Sequence, residues 1–322
     1  MAEQTGVNIQ RSIPPVCSAK YMTHPSHSLS PHHLSPGRCA ILVMSCDAYD
    51  DLWAPCFNLL GKHWPDCPFP VYLGAEQQVY PGAGVVTLHS SAGSRNWTGR
   101  LMDYLSQLQH DYDQVLLFLD DFFLRAKVPT EVVLRCRDFA REKKAIMLRL
   151  IPRPKPTRRL PGERLIGESE MGSPYRLSTQ AAIWSIPGLL TLLRPDESIW
   201  DFEHQGNART NTYAEGFFSV WQPVLPYEGF LAHHVVEKGA WFPHEKYIFS
   251  RQDIGCDFTR RKILPMRQLL VYHAAQILEW SLSGLPWRQK RSIKQGLKRL
   301  LQPVLKTRLN TLAGRNSPNS RS

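Results

Sequence analysis

The stretch LLFLDDFFL, residues 116–124, sets two carboxylates, Asp120 and Asp121, inside an otherwise apolar run. A short continuous apolar segment is what a strand buried on both faces of a parallel sheet looks like. An unpaired ionised carboxylate in such a place costs several kcal/mol or takes up a proton. The pair is therefore expected where the strand leaves the sheet and meets a cation. The plain alternative is a strand end with two solvated acids, one of them capping a turn.

Upstream, CAILVMSCDAY repeats the pattern, with a buried-strand run at 41–44 that breaks at Ser45, Cys46 and Asp47. A helical spacing follows over 51–62 through Leu52, Cys56, Leu59 and Leu60, and then PFPVYLGAE and GVVTLHS read as two further strands. SAGSRNWTGR leads into a helix over 101–108, which delivers the chain to the acidic strand. Strands alternating with helices of this length predict an α/β fold, a mainly parallel sheet flanked by helices. Open sheets of that kind bind ligands beyond the carboxyl ends of their strands, where Asp47 and the Asp120, Asp121 pair both fall. No GxGxxG follows the first strand and no GxxxxGK[ST] occurs, which disfavours dinucleotide and P-loop chemistry. A Mg2+ or Mn2+ ion is commonly held by one or two carboxylates together with substrate phosphates, and a strand-end acid pair supplies that minimum.

With 322 residues and 43% hydrophobic content the chain can bury a large core. Its seven cysteines include no CxxC pair, and neither a signal peptide nor a long apolar window is evident, so a reducing cytoplasm is expected. Residues 1–38, rich in Pro, Ser and His, read as a mobile leader, 39–280 as the folded domain and 281–322 as a basic tail.

Three segments carry a family resemblance. SCDAYDDLWAPCFNLLGKHWPDCPFPVYLG, then NWTGRLMDYLSQLQHDYDQVLLFLDDFFL, then YRLSTQAAIWSIPGLLTLLRPDESIWDFE, in this order, resemble bacterial glycosyltransferases of the Rossmann-related GT-A fold that build surface lipopolysaccharide or exopolysaccharide. The resemblance implies that Asp120 and Asp121, after Leu119, form a metal motif of xDD form. Asp121 would bind the ion that bridges the donor diphosphate, and Asp120 would reach the ribose or orient a nearby base. Asp47 matches the region that holds the nucleotide base, and Arg95 and Arg100, flanking Trp97, would contact the diphosphate. Inverting transfer needs a base for the acceptor hydroxyl. Glu203 in WDFE lies where the family places it, with Asp201 as the rival; the alternative is a helix start whose acids complement the dipole. Gln180 and Trp184 in STQAAIWS are expected to face the acceptor. In EGFLAHHVVEKGAWFP, His234, next to His233, is the candidate third metal ligand. The donor is expected to be a nucleotide-sugar, UDP-linked foremost, and the acceptor a saccharide, free or lipid-linked. A sugar-nucleotide nucleotidyltransferase and a non-catalytic binding module are the alternative readings.

Two stretches remain. IPRPKPTRRLPGERLIGESEMGSPYRLS, residues 151–178, reads as a long loop, an acceptor-side lid. In the tail no acid follows Glu279, whereas ten Lys or Arg occur from Arg288 to Arg321. Ile293, Leu297, Leu300, Leu301, Val304 and Leu305 recur at helical steps, so the tail reads as a basic amphipathic helix for an anionic membrane surface, peripheral on the inner face of the cell membrane. A last core helix with a solvated basic face is the alternative. Nucleic acid is not expected as a partner, since no motif for it is present.

Overall fold

β1 (Cys39–Met44) is buried at every position and lies in the middle of a nine-stranded sheet. This computed structural model describes residues 38–93, 95–229 and 233–281, together with Gln289, Ser292 and Ile293. The expected leader and nearly all of the expected tail lie outside the described residues. After β1, a 3-10 turn (Asp47–Leu52) runs into α1 (Trp53–His63), so the helix expected over 51–62 starts two residues later. β2 (Val71–Ala75), β3 (Val85–His89) and β4 (Gln114–Leu119) follow where the sequence places them, and α2 (Trp97–Leu108), expected over 101–108, starts four residues earlier, with Asn96 as its cap. The remaining elements are α3 (Thr130–Glu142), β5 (Met147–Arg149), β6 (Arg158–Arg159), β7 (Ile166–Glu168), β8 (Ala182–Ser185), α4 (Ile186–Leu192), α5 (Ile199–Arg209), β9 (Phe217–Val220), the small hairpin β10 (Val236–Glu237) and β11 (Ala240–Trp241), α6 (Pro243–Phe249) and α7 (Met266–Ser281).

The strand order is β3-β2-β1-β4-β8-β5-β9-β7-β6. The pairings make β8 and β7 antiparallel to their neighbours, so the other seven of the nine strands point one way. The fold is thus a mixed, mainly parallel sheet flanked by helices. Its two faces divide the side chains by the period of two that strands impose. Ile41, Val43, Leu116 and Phe118 join Trp53, Cys56, Leu59 and Leu60 of α1 in one core. Leu42, Met44, Val115 and Leu117 join Trp97, Leu101, Tyr104 and Leu105 of α2 in the other. Between them the two cores take nearly every residue of β1 and β4, which is why these strands read as unbroken apolar runs.

The stretch 151–178 differs from the expected loop. It supplies β6 and β7, which extend the sheet beyond β9. What orders the rest is a pair of fully buried arginines. Arg149 donates to the carbonyls of Pro154 (3.0 Å) and Tyr175 (2.9 Å). Arg176 donates to those of Ser169 (2.9 Å), Thr210 (2.7 Å), Tyr213 (2.7 Å) and Ala214 (3.0 Å), its guanidinium 4.4 Å from the Phe217 ring centre. Irregular backbone can be buried only when its polar groups are satisfied, and these guanidiniums supply donors that no apolar period announces.

Gly74 in β2 marks a close approach between sheet and helix. A Cβ there would overlap the ring of Tyr104, whose hydroxyl donates to the carbonyl of Ala75 (2.6 Å). Gly74→Ala should therefore destabilise the fold by ~1–3 kcal/mol. In denaturant melts the Gly74→Ala/Tyr104→Leu double variant should lose less than the two single losses combined.

Candidate functional site

β1 and β4 pair with Met44 level with Leu119, so continuing the register sets Ser45 level with Asp120. Across that step the Ser45 hydroxyl donates to the Asp120 carboxylate. The indole of Trp53 donates to the same hydroxyl (2.6 Å), and Arg100 of α2 donates to the Ser45 carbonyl (2.8 Å) while standing 3.5 Å from the Glu76 carboxylate. Asp47 closes the neighbouring edge. Its carboxylate accepts the backbone N–H groups of Glu76 (2.9 Å), Gln77 (3.1 Å) and Gln78 (3.2 Å), so both oxygens serve to tie the end of β1 to the end of β2. From the far part of the chain, Arg261 pairs with both oxygens of Asp51 and stacks on Tyr49, while Arg260 pairs with Asp50.

The acid pair sits in the low-dielectric environment that its sequence implies. Burial, with the adjacent Asp121 charge adding to it, pushes Asp120 well above the ordinary carboxyl range, against the Ser45 hydrogen bond. Burial raises Asp121 to about 6, offset in part by His234. Oδ1 of Asp121 is buried and has no hydrogen-bond partner, and its backbone carbonyl accepts from Val235 (3.1 Å). Burial draws His234 downward, yet its hydrogen bond to Glu237 (2.9 Å) and the nearby Asp121 charge hold it above the usual imidazole value.

The neighbouring part of this edge is built from the start of β8. That strand runs antiparallel to β4 with Ala182 opposite Leu117, and the same register brings Gln180 level with Leu119 and Thr179 level with Asp120. Oε1 of Glu203, in α5, accepts from the backbone N–H (2.7 Å) and hydroxyl (2.8 Å) of Thr179, and neither bond uses Oε2. Tyr227 stacks on Phe122 with centroids 4.3 Å apart and donates its hydroxyl proton to Gln180 (3.0 Å). Arg149, drawn down to about 10 by burial, feels the charges of Glu203 and Tyr227. Asp120, Asp121, His234, Gln180, Glu203 and Arg100 thus gather at one edge of the sheet.

The other sequence candidates lie elsewhere. Asp201 is turned back into the capping box of α5, accepting from the backbone (3.2 Å) and hydroxyl (2.6 Å) of Ser198, and those bonds hold its carboxyl below the usual range. Arg95 is exposed before α2. Trp184, expected to face the acceptor, is wholly buried between Val115 and Met147 on the neighbouring strands, so it packs the core and offers no surface to a ligand. Ser45, Glu76, Arg149, Tyr227, Glu237 and Arg261 were not singled out by sequence. Arg149 carried a usable signal, a charge inside the apolar run MLRLI, whereas Tyr227 and Arg261 arrive from distant loops without one.

Among the described residues no group of three or more His, Cys, Asp and Glu side chains stands ready to hold a metal ion. The two adjacent buried acids and the unpartnered Oδ1 of Asp121 do fit a hard dication that takes its remaining ligands from phosphate oxygens.

No protein-family model matches the chain, and no curated protein matches it. Among solved structures, TarS of S. aureus, residues 1–349, is similar over 77% of this chain and 73% of that one, at 11% identity and a TM-score of 0.41. The galactosyltransferase LgtC, solved in complex with donor and acceptor sugar analogues, is similar over 71% of this chain and 98% of that one, at 10% identity and a TM-score of 0.35.

The raised Asp121 carboxyl has a definite sign in stability. Folded, it holds its proton more tightly than unfolded, so it favours folding most below its ordinary value of 3.8, and that benefit is lost as pH rises through about 6. In EDTA, melting temperature should fall between pH 5 and pH 8, and Asp121→Asn should be more stable than the native chain at pH 8 by ~1 kcal/mol or more.

Proposed function

We propose that the chain is a glycosyltransferase of GT-A type, moving a sugar from a nucleotide donor, UDP-linked, to a saccharide acceptor carried on lipid, with inversion at the transferred carbon. The observation that carries this reading is the placing of Glu203 and the acid pair. Through Thr179 the helix-borne carboxylate is fixed level with Asp120, one strand away from the acids, with Oε2 left over. A base held apart from a diphosphate-binding edge is what an in-line displacement requires.

In this mechanism the acceptor hydroxyl gives its proton to Oε2 of Glu203 as its oxygen bonds to the anomeric carbon. The bond from that carbon to the phosphate oxygen breaks, and the nucleoside diphosphate leaves with the electron pair. Asp121, with Asp120 and His234 beside it, would hold Mg2+ or Mn2+, which when bound neutralises charge on the leaving diphosphate. Arg100, held against the Ser45 carbonyl and Glu76, adds positive charge behind the edge that receives the diphosphate, and Asp47 shapes the lip that receives the nucleoside. Gln180, its carbonyl oxygen engaged by Tyr227, turns its amide donors toward the acceptor.

A lipid-linked acceptor would bring the enzyme to the inner face of the membrane. No helix among the described residues is long and apolar enough to cross one. α7, however, packs Leu269 and Tyr272 onto Phe242 and Leu264 and leaves Met266, Leu270 and Val271 more than three-fifths exposed, at 66%, 62% and 67%. An outward apolar face continued by a sequence with ten Lys or Arg and no acid suits an anionic bilayer.

Purified protein incubated with a UDP-sugar should release UDP only with Mg2+ or Mn2+ present. Glu203→Gln should lower turnover at least about a hundredfold while donor affinity stays unchanged, the scale of a lost general base. Equal turnover would move the role away from Glu203. On phosphatidylglycerol vesicles, Met266→Ser/Leu270→Ser/Val271→Ser should reduce co-sedimentation at high salt, where the electrostatic share is screened.

A further inference from the structure

Trp200 is the anomaly of α5. Its indole is 58% exposed, although Trp usually hides most of its surface. Several neighbours on the same helix are engaged: Phe202 packs against Trp97 in the core, Asp201 caps the helix, and Glu203 and Asn207 reach across to Thr179 and to the N–H of Leu177 (3.1 Å). Trp200, Glu203 and Asn207 stand at i, i+3 and i+7, a single row along the helix in which the spacing between neighbouring turns is roughly 5–6 Å.

That row is fixed relative to the edge of the sheet by contacts around the start of α5. Asn96, which caps α2, donates to Asp196 (2.9 Å) and accepts from its N–H (3.0 Å). Thr98 and Glu197 exchange hydrogen bonds through backbone and hydroxyl. Arg209 from the end of α5 grips the Glu197 carboxylate with two donors, at 2.8 and 2.6 Å. One turn further along α2, Arg100 reaches the Ser45 carbonyl at the end of β1. The beginning of α5 is therefore locked to the carboxyl edge, and an exposed indole at its second residue has little freedom to fold away.

We propose that Trp200 is a stacking platform for the acceptor sugar, its ring lying against the apolar face of a pyranose whose hydroxyl is presented to Glu203. This rests on the transferase reading of the same site. A pyranose carries its C–H bonds on a face, and a large rigid aromatic surface covers that face at little conformational entropy. The polar needs of the same sugar would be met by Oε2 of Glu203, one turn along the helix, and by the amide of Gln180 before β8. Trp200 is thus a specificity-determining residue that orients the acceptor, and Glu203 alone handles the proton.

The test uses the full chain labelled with 5-fluorotryptophan, the resonance of residue 200 being identified by its loss in Trp200→Phe. Methyl hexopyranosides of glucose, galactose and mannose serve as probes, and UDP-sugar turnover is measured in parallel. At least one probe should shift the Trp200 resonance. Trp200→Ala should raise the acceptor KM at least about tenfold with kcat and donor affinity little changed, and Trp200→Phe should recover most of the loss. An unchanged melting temperature in Trp200→Ala excludes a folding effect. Turnover that depends on Glu203 without a response at Trp200, or a Trp200→Ala variant with the native KM, would overturn the platform and leave the transferase standing. A Trp200 shift in a protein with no donor turnover would overturn the transferase reading and leave a sugar-binding indole.

Discussion

The bond between the Ser45 hydroxyl and the Asp120 carboxylate joins two strand ends at the point where burial and charge conflict. A carboxylate nearly out of solvent, at 6% exposure, beside a second acid would weaken the fold unless its charge were balanced or its proton retained. The surroundings answer that conflict only in part. Ser45 and Trp53 supply neutral donors, and Arg100 turns its charge toward the Ser45 carbonyl and Glu76. Arg261 contributes from a distance while bound to Asp51. A cation brought to this sheet edge would stabilise the ionised form of the pair, which burial alone disfavours.

The other half of the edge is organised by the opposite charge. Arg149 and Arg176 are fully buried and have backbone carbonyls as their hydrogen-bonding partners. A buried guanidinium bonded to carbonyls keeps its charge, and it therefore sets a positive potential behind Glu203 and Tyr227 while the acids set a negative one at the end of β4. The two potentials lie on either side of the start of β8.

How much of this could be read from sequence follows from the range of each interaction. β1 to β4 and α2 are set by periodicity and were legible, as was the position of Asp120 and Asp121 at the strand end, because a charge inside an apolar run is a local signal. The ordering of 151–178 was not legible, since it depends on carbonyls at 210, 213 and 214 reached by a guanidinium at 176. Trp184 misled because a Trp in a short strand looks the same whether it faces a cleft or the core. Only its cross-strand neighbours, Val115 and Met147, decide between them. The clamp of Asp47 on the backbone at 76–78 is likewise a pairing between strand ends, with no trace in the spacing of either segment.

The choice between Asp201 and Glu203 shows the same logic at the scale of one helix. Both were candidates because both stand in the first turns of α5. A helix places residues two apart on well-separated sides, so one sequence motif can serve two unrelated needs. Asp201, at the third helical position, faces back and completes the capping box with Ser198, satisfying N–H groups that the helix start would otherwise leave bare. Glu203, at the fifth, is past the reach of the cap and can extend to Thr179. The capping role turns Asp201 back onto the helix start and at the same time fixes the first turn of α5, and with it the direction from which Glu203 extends to Thr179.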